Sequence, residues 1–218
     1  MREYEKTKVD GGLMIMDKKA MYQLTYGLFV LTAKEDNFFN GCIINTALQV
    51  TTTPNRIAIT VNKANKTHDM VLKTGVFNIC TLTQDTPFSV FKQFGFQSGS
   101  NVDKFADFAG KAVSENGLYY LSEYANSYLS GKVVSTIDLG THTMFIADVT
   151  DGVVLSEAES VSYAYYQKNI KPAPETAKKG TRYVCKVCGY VYEGEVLPPD
   201  FICPICKHGA EDFERIEG

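Results

Sequence analysis

The chain has 218 residues, 44% of them hydrophobic and 22% charged, with a formal net charge of −3. That length suits one large domain plus a small one, and the composition excludes a disordered or low-complexity chain. No apolar run approaches the roughly 20 residues needed to cross a bilayer, and Met1-Arg-Glu-Tyr-Glu-Lys6 lacks the apolar stretch of a signal peptide. The expected location is therefore the cytoplasm, with no membrane partner.

In chain order, Lys18–Leu24 reads as a helix. Leu28–Ala33, Gly41–Ile44 and Arg56–Val61 read as short strands, β-branched and bounded by turn residues. A helix opens at Thr67 and runs to Thr74, closed by Gly75. A strand follows over Val76–Leu82. Thr86–Phe94, closed by Gly95, reads as a helix with Thr86 at its N-cap and Pro87 in its first turn. Val133–Ile137, Thr143–Val149 and Gly152–Leu155 complete the strands. Many short strands with few helices imply a mainly β domain closed into a barrel. Cys42 and Cys80 lie inside apolar runs as buried free thiols, since a reducing compartment disfavours a disulfide between them. Lys171-Pro-Ala-Pro-Glu-Thr-Ala-Lys-Lys-Gly180 is rich in Pro, Ala and charge, and reads as a semi-extended linker. The chain thus divides into a large domain over 1–170, a linker over 171–180 and a small domain over 181–218.

The small domain carries the densest signal. Cys185-Lys-Val-Cys188-Gly and Cys203-Pro-Ile-Cys206 supply four thiolates from two facing C-x-x-C hooks, a tetrahedral set for Zn²⁺ or a single iron. Zinc would make this region a structural staple; iron would make it an electron carrier. Gly189 tolerates the tight backbone after the first hook. Tyr183, Tyr190, Tyr192, Phe201 and Phe213 can shield a metal and set its potential. Tyr183-Val-Cys-Lys-Val-Cys-Gly-Tyr-Val-Tyr-Glu-Gly, with Pro199-Asp-Phe-Ile-Cys-Pro-Ile-Cys and Asp212-Phe-Glu, resembles the rubredoxins over about residues 181–217. Its shortened middle is closer to the domain of rubrerythrins, and Phe201 stands where rubredoxins usually carry Trp. The resemblance implies one iron on Cys185, Cys188, Cys203 and Cys206. Residues 182–218 hold 4 basic and 7 acidic side chains, net −3, against 18 and 18 in residues 1–181. Such an acidic face steers toward a basic protein partner and away from nucleic acid.

The large domain shows no G-x-G-x-x-G turn, phosphate loop or nucleophile elbow. Asn62-Lys-Ala-Asn-Lys-Thr67 joins a strand to a helix N-terminus and offers amides, ammonium groups and a hydroxyl, a set that suits a phosphate or simply caps the helix. Asn40-Gly41 and Asn45-Thr-Ala-Leu-Gln-Val-Thr51 leave backbone groups accessible to a planar heterocycle, or form an ordinary strand–turn–strand. In their order, these stretches with Pro54, Gly75-Val-Phe-Asn-Ile, Phe94-Gly95, Asp103-Lys-Phe105 and Gly140-Thr-His-Thr-Met-Phe-Ile-Ala-Asp-Val149 resemble the flavin reductase-like family with an FMN-binding split barrel, over about residues 15–165. That family is typically homodimeric. The resemblance implies Thr46, Ala47, Leu48, Gln49 and Thr51 beside the isoalloxazine ring and Asn62, Lys63, Lys66 and Thr67 at the phosphate. It places His142 on the flavin or nicotinamide side as the candidate catalytic residue, with Thr141 where the family usually carries Asp.

The fusion has its own logic. NAD(P)H gives up two electrons at once, an iron tetrathiolate accepts one, and a flavin converts between them. A flavin barrel joined to a rubredoxin-like domain resembles the high-molecular-weight rubredoxins, which feed flavo-diiron reductases of O₂ or NO. The implied path runs from NAD(P)H through FMN and iron to such an acceptor. Two alternatives stand beside it: a non-catalytic FMN and rubredoxin shuttle reduced by another protein, and a flavin-free barrel with a zinc ribbon for docking.

Overall fold

The computed structural model describes residues 5–9, 12–16, 20, 23–172, 182–187, 190–203 and 208–216. A hairpin of β1 (Glu5–Val9) and β2 (Gly12–Met16) precedes the main body. The body follows as β3 (Phe29–Glu35), β4 (Phe38–Ile44), β5 (Ala47–Thr52), β6 (Asn55–Asn62), α1 (Lys66–Thr74) and β7 (Val76–Leu82). Then come α2 (Phe88–Gly95), β8 (Lys111–Val113), β9 (Tyr119–Leu121), β10 (Ala125–Asp138) and β11 (His142–Val154). One seven-stranded sheet runs in the order β4-β3-β7-β10-β11-β6-β5, with antiparallel pairing throughout. Ile44 on β4, Ile57 and Ile59 on β6, Phe77 on β7 and Phe145 on β11 share one buried cluster, so the sheet curls around a common interior. The expected closure is incomplete. The chain turns at Asn45 and Thr46, β5 pairs only with β6, and among the described residues the ladder stays open between β4 and β5.

Alternate residues of β3 and β7 face two different cores. Leu31, Phe77 and Ile79 point into the barrel, while Val30, Cys80 and Leu82 point outward into a second cluster with Phe91, Phe94, Phe105, Phe108 and Tyr166. Burial on both faces explains why these strands read as nearly continuous apolar runs. Met70 and Val71 of α1 plug the interior. Gly75 ends that helix in the left-handed region at φ 71°, its N–H donating to Val71 O at 2.9 Å, a geometry that favours glycine.

Several boundaries differ from the sequence reading. Asn65, not Thr67, is the N-cap residue of α1, and Thr67 is fully buried inside it. Pro87 occupies the cap position of α2, because the Thr86 hydroxyl donates to Tyr124 O at 3.0 Å, and Gly95 lies within the last turn. The segment 133–137 belongs to a 14-residue strand, and 143–149 with 152–154 form one 13-residue strand. These long strands pair with each other, and the ladder takes up a register shift at Ser130/Gly131. Gly131 there lies under Phe77, whose ring carbon a Cβ would meet at 2.4 Å. Of the expected helix 18–24, residues 18, 19, 21 and 22 lie outside the described residues.

Cys42 and Cys80 are buried and unpaired. The Leu121 N–H donates to Cys80 Sγ at 3.3 Å, and burial pushes that thiol up to about 12. Near the C-terminus, β12 (Arg182–Cys185) pairs with β13 (Val191–Glu193) and β14 (Phe213–Ile216) in a separate small sheet. Among the described residues no helix is long and apolar enough to cross a membrane.

Candidate functional site

The open side of the barrel holds a cavity of about 550 Å³. One wall comes from the sheet. His142, the first residue of β11, pairs with Asn62, the last of β6, and Thr46 O accepts from Thr60 N at 3.2 Å. Thr46, Thr60, Asn62 and His142 therefore share this wall, although the last lies 80 residues beyond Asn62 in the chain. The turn Ala64, Asn65, Lys66 at the start of α1 forms the next wall. Asn62 Oδ1 accepts from Ala64 N at 2.8 Å, which bends this turn and leaves the helix N-terminus facing the cavity, where its dipole favours an anion. Phe94, Gly95, Phe96, Gln97, Ser98 and Gly99, at and just beyond the end of α2, add to the lining.

Two polar side chains on this lining are absent from the sequence-based site. Asn40 is 1% exposed; its amide nitrogen donates to Thr67 Oγ1 at 3.0 Å, and its Oδ1 is buried without a hydrogen-bond partner. A buried amide oxygen left unsatisfied costs free energy, so its place on a cavity wall marks it as ready for a donor from a ligand. Gly99 is what lets the Asn40 amide sit there, since a Cβ would come within 2.3 Å of it. Lys104 is 4% exposed, and its ammonium donates to Gly41 O at 2.8 Å and Phe94 O at 3.1 Å. Burial holds it below the usual lysine range, with the neighbouring Cys42 opposing that shift. No carboxylate pairs with it among the described residues, so the cavity carries an uncompensated cation. The sequence named Asp103-Lys-Phe105 as a stretch, but nothing local shows that residue 104 folds back under β4.

The expected site residues divide. Thr46, Asn62, Lys66 and His142 line the cavity. Thr67 sits behind the wall as the acceptor for Asn40. Lys63 turns away to Asp138 at 2.7 Å, and Lys66 reaches Glu35 at 3.4 Å. Ala47, Leu48, Gln49 and Thr51 lie along the edge strand β5 and do not line the cavity of a single chain; Leu48 is 51% exposed and Gln49 bonds Asn55 at 2.9 Å. His142 receives a partner from Thr141, whose hydroxyl oxygen lies 2.9 Å from Nδ1. Partial burial, then the nearby His208 and His68 imidazoles, hold His142 below its ordinary range.

In the small unit Cys185 and Cys203 are buried, at 1% and 0% exposure, beside a ring cluster in which Phe201 meets Tyr192 at 4.7 Å and Phe213 at 5.3 Å. The Cys185 N–H donates to Tyr190 O and the Cys203 N–H to His208 O, both at 2.8 Å, fixing the two hooks. Cys188 and Cys206 lie outside the described residues. Two buried thiols in an aromatic pocket, one from each hook, fit a thiolate-bound metal. Val187, between the first two cysteines, reaches the barrel cavity and joins its lining.

Residues 21–174 match the flavin reductase like domain, and residues 183–214 match the rubrerythrin, rubredoxin-like domain. A high molecular weight rubredoxin from Moorella thermoacetica is 40% identical, over 92% of this chain and all of its own. The chain belongs to the high molecular weight rubredoxin family. An NAD(P)H ferric-chelate reductase from Archaeoglobus fulgidus is 36% identical over 74% of this chain and 96% of its own. Among solved structures, an FMN-binding protein from Thermus thermophilus superposes with a TM-score of 0.59 at 18% identity, covering 71% of this chain and 81% of its own, a likeness of fold. The protein is thus an oxidoreductase of the flavin-reductase type with an attached rubredoxin-like domain, and its cofactor classes are flavin and iron.

Proposed function

We propose that this chain oxidises NAD(P)H, holding FMN in the barrel cavity and one iron on Cys185, Cys188, Cys203 and Cys206, and passes electrons to an external protein such as a flavo-diiron reductase. The observation that carries this reading is the arrangement of the cavity, with an unsatisfied amide oxygen, a buried cation and a helix N-terminus on its walls and the cysteine hook at its rim. When bound, the flavin would take a hydride pair and release electrons singly, as an iron tetrathiolate requires. The chain's own residues supply placement. Asn65, Lys66 and the first turn of α1 would hold the phosphate, with Lys63 and Thr67 bracing that turn. Thr46 and Asn40 would hydrogen-bond the ring system. His142, whose protonation its partial burial disfavours and which Thr141 orients, would face the nicotinamide side. No general acid or base is required.

The same reading takes the protein as a cytoplasmic homodimer. Leu48 on β5 is 51% exposed and Ile137 on β10 is 48% exposed, with Met144 and Ile146 half-buried on the same outward side between them. The register of β5, β6, β11 and β10 sets these side chains on one face, which a second copy would cover and which would bring Ala47, Leu48, Gln49 and Thr51 into the assembled site. Light scattering of the purified protein should return twice the 24.2 kDa chain mass. The activity itself is tested by visible spectroscopy under anaerobic conditions. Flavin and ferric-thiolate bands should both bleach with NADH or NADPH, and Cys203→Ser should retain flavin bleaching while losing the metal band and transfer to an acceptor. A colourless zinc protein, or flavin untouched by either nucleotide, would sink the reading.

A further inference from the structure

We infer that the small metal unit docks on the cavity mouth of its own chain, with Val187 as its contact and Lys171 as the latch, so that the bound metal is reduced within the molecule. This rests on the flavin and iron reading above and assigns the surface by which the two cofactor sites meet.

Two observations point to one docked arrangement. Val187 stands between Cys185 and Cys188 in the first hook and lines the same cavity as Leu139 and His142. Lys171 is fastened to both units at once. Its backbone N–H donates to Tyr166 O at 2.8 Å, and its ammonium donates to Val187 O at 3.3 Å. Tyr166 is itself buried in the outer core against Phe91, with ring centroids 4.5 Å apart, so the latch is rooted in the barrel rather than in a surface loop.

Leu139 explains why an apolar residue belongs at the tip of the hook. It is 50% exposed and lines the same cavity as Val187, an uncharged side chain between two metal ligands. A charged tip would have to be desolvated there. Tethering makes the encounter unimolecular, at an effective concentration of roughly mM for a short link. The stoichiometry adds a requirement. One NAD(P)H becomes NAD(P)⁺ and releases one proton while two ferric centres become ferrous. A single one-electron centre must therefore hand its electron outward before it can take the second. The docked unit has to expose the metal to the external acceptor, or undock to meet it, between the two transfers.

The experiment uses the full chain as purified. After rapid mixing with NADH, the ferric-thiolate band should bleach at a rate unchanged over a tenfold range of protein concentration. Lys171→Ala should slow that phase severalfold and leave flavin bleaching alone, and Val187→Asp should slow it at least tenfold. Hydrogen exchange supplies a readout independent of turnover. Both substitutions should speed exchange at the amides of residues 139–142 and 186–187. A metal phase whose rate rises in proportion to protein concentration would overturn the proposal, as would exchange at those amides that neither substitution moves. If the nucleotide fails to bleach the flavin at all, the functional reading falls, while hydrogen exchange still decides the docking.

Discussion

The barrel and the metal unit are held together by different physics. The barrel buries apolar side chains on both faces of its sheet, with Phe77, Phe91, Phe94 and Phe145 nearly or fully inaccessible in two clusters. Among the described residues the small unit contributes only Val184, Cys185 and Cys203 to the buried apolar set, and its rings are half-exposed. A chain of fewer than about 40 residues rarely buries enough surface to fold unaided. The barrel can therefore stand without its cofactor, whereas the small unit needs its metal, which couples coordination to folding.

Metal removal tests that contrast most sharply. Stripping the iron with a chelator under reducing conditions should abolish the folded small unit, seen as lost exchange protection over residues 182–216, while the barrel's thermal transition stays. If the barrel melted with it, the two units would be one cooperative body. The converse is Phe77→Ala, which empties space against Gly131 and should cost the barrel about 3–5 kcal/mol; its melting temperature should fall while the metal spectrum is retained at room temperature. Lys104→Met removes the buried cation and frees the carbonyls of Gly41 and Phe94. FMN affinity, measured by fluorescence titration, should drop about tenfold, or roughly 1.4 kcal/mol. The smallest effect belongs to His142. Its folded pKa lies below the unfolded value of about 6.5, so the unfolded chain binds more protons between the two. Stability is greatest above that window and declines as pH falls through it toward the lowered folded value. His142→Gln should flatten this decline in a pH series of melting curves.

The same contrast governs what the sequence could tell. The four cysteines and their aromatic neighbours sit in one short stretch, so the metal unit was legible residue by residue. The strands β3, β6 and β7 were legible too, because β3 and β7 are apolar on both faces and β6 carries Ile57, Ile59 and Val61 between turns. The three-residue strands β8 and β9 carry no such run. Strand lengths were not legible. β10 and β11 continue as far as they do because each has neighbours to pair with, which no local pattern reports. The cavity was half legible. Thr46, Asn62 and His142 reach it through strand register and Lys66 through the start of α1, but Asn40 entered only as the head of a stretch with accessible backbone and Lys104 only within the Asp103-Lys-Phe105 match. Only the sheet order, which folds residues 94–104 beneath β4, makes them walls. Thr141 shows the opposite case. A departure from the expected Asp still leaves a hydroxyl within hydrogen-bond distance of the imidazole.

Two side chains that take no part in electron transfer bear on how the protein can be assayed. Cys42 and Cys80 are both buried, Cys80 among apolar side chains and Cys42 on the cavity wall near Thr67 and Lys104, and burial raises both thiols, Cys80 to about 12. Burial thus disfavours the thiolate at both positions, and the thiolate is the form that alkylating reagents and peroxides attack. Of the six cysteines in the chain, the four in the hooks are thus the ones whose reactivity changes with metal occupancy. Iodoacetamide labelling of the folded protein, read by mass, becomes a gauge of vacancy: no added groups on a filled site, four on an empty one, and a fifth and sixth only once the barrel has opened.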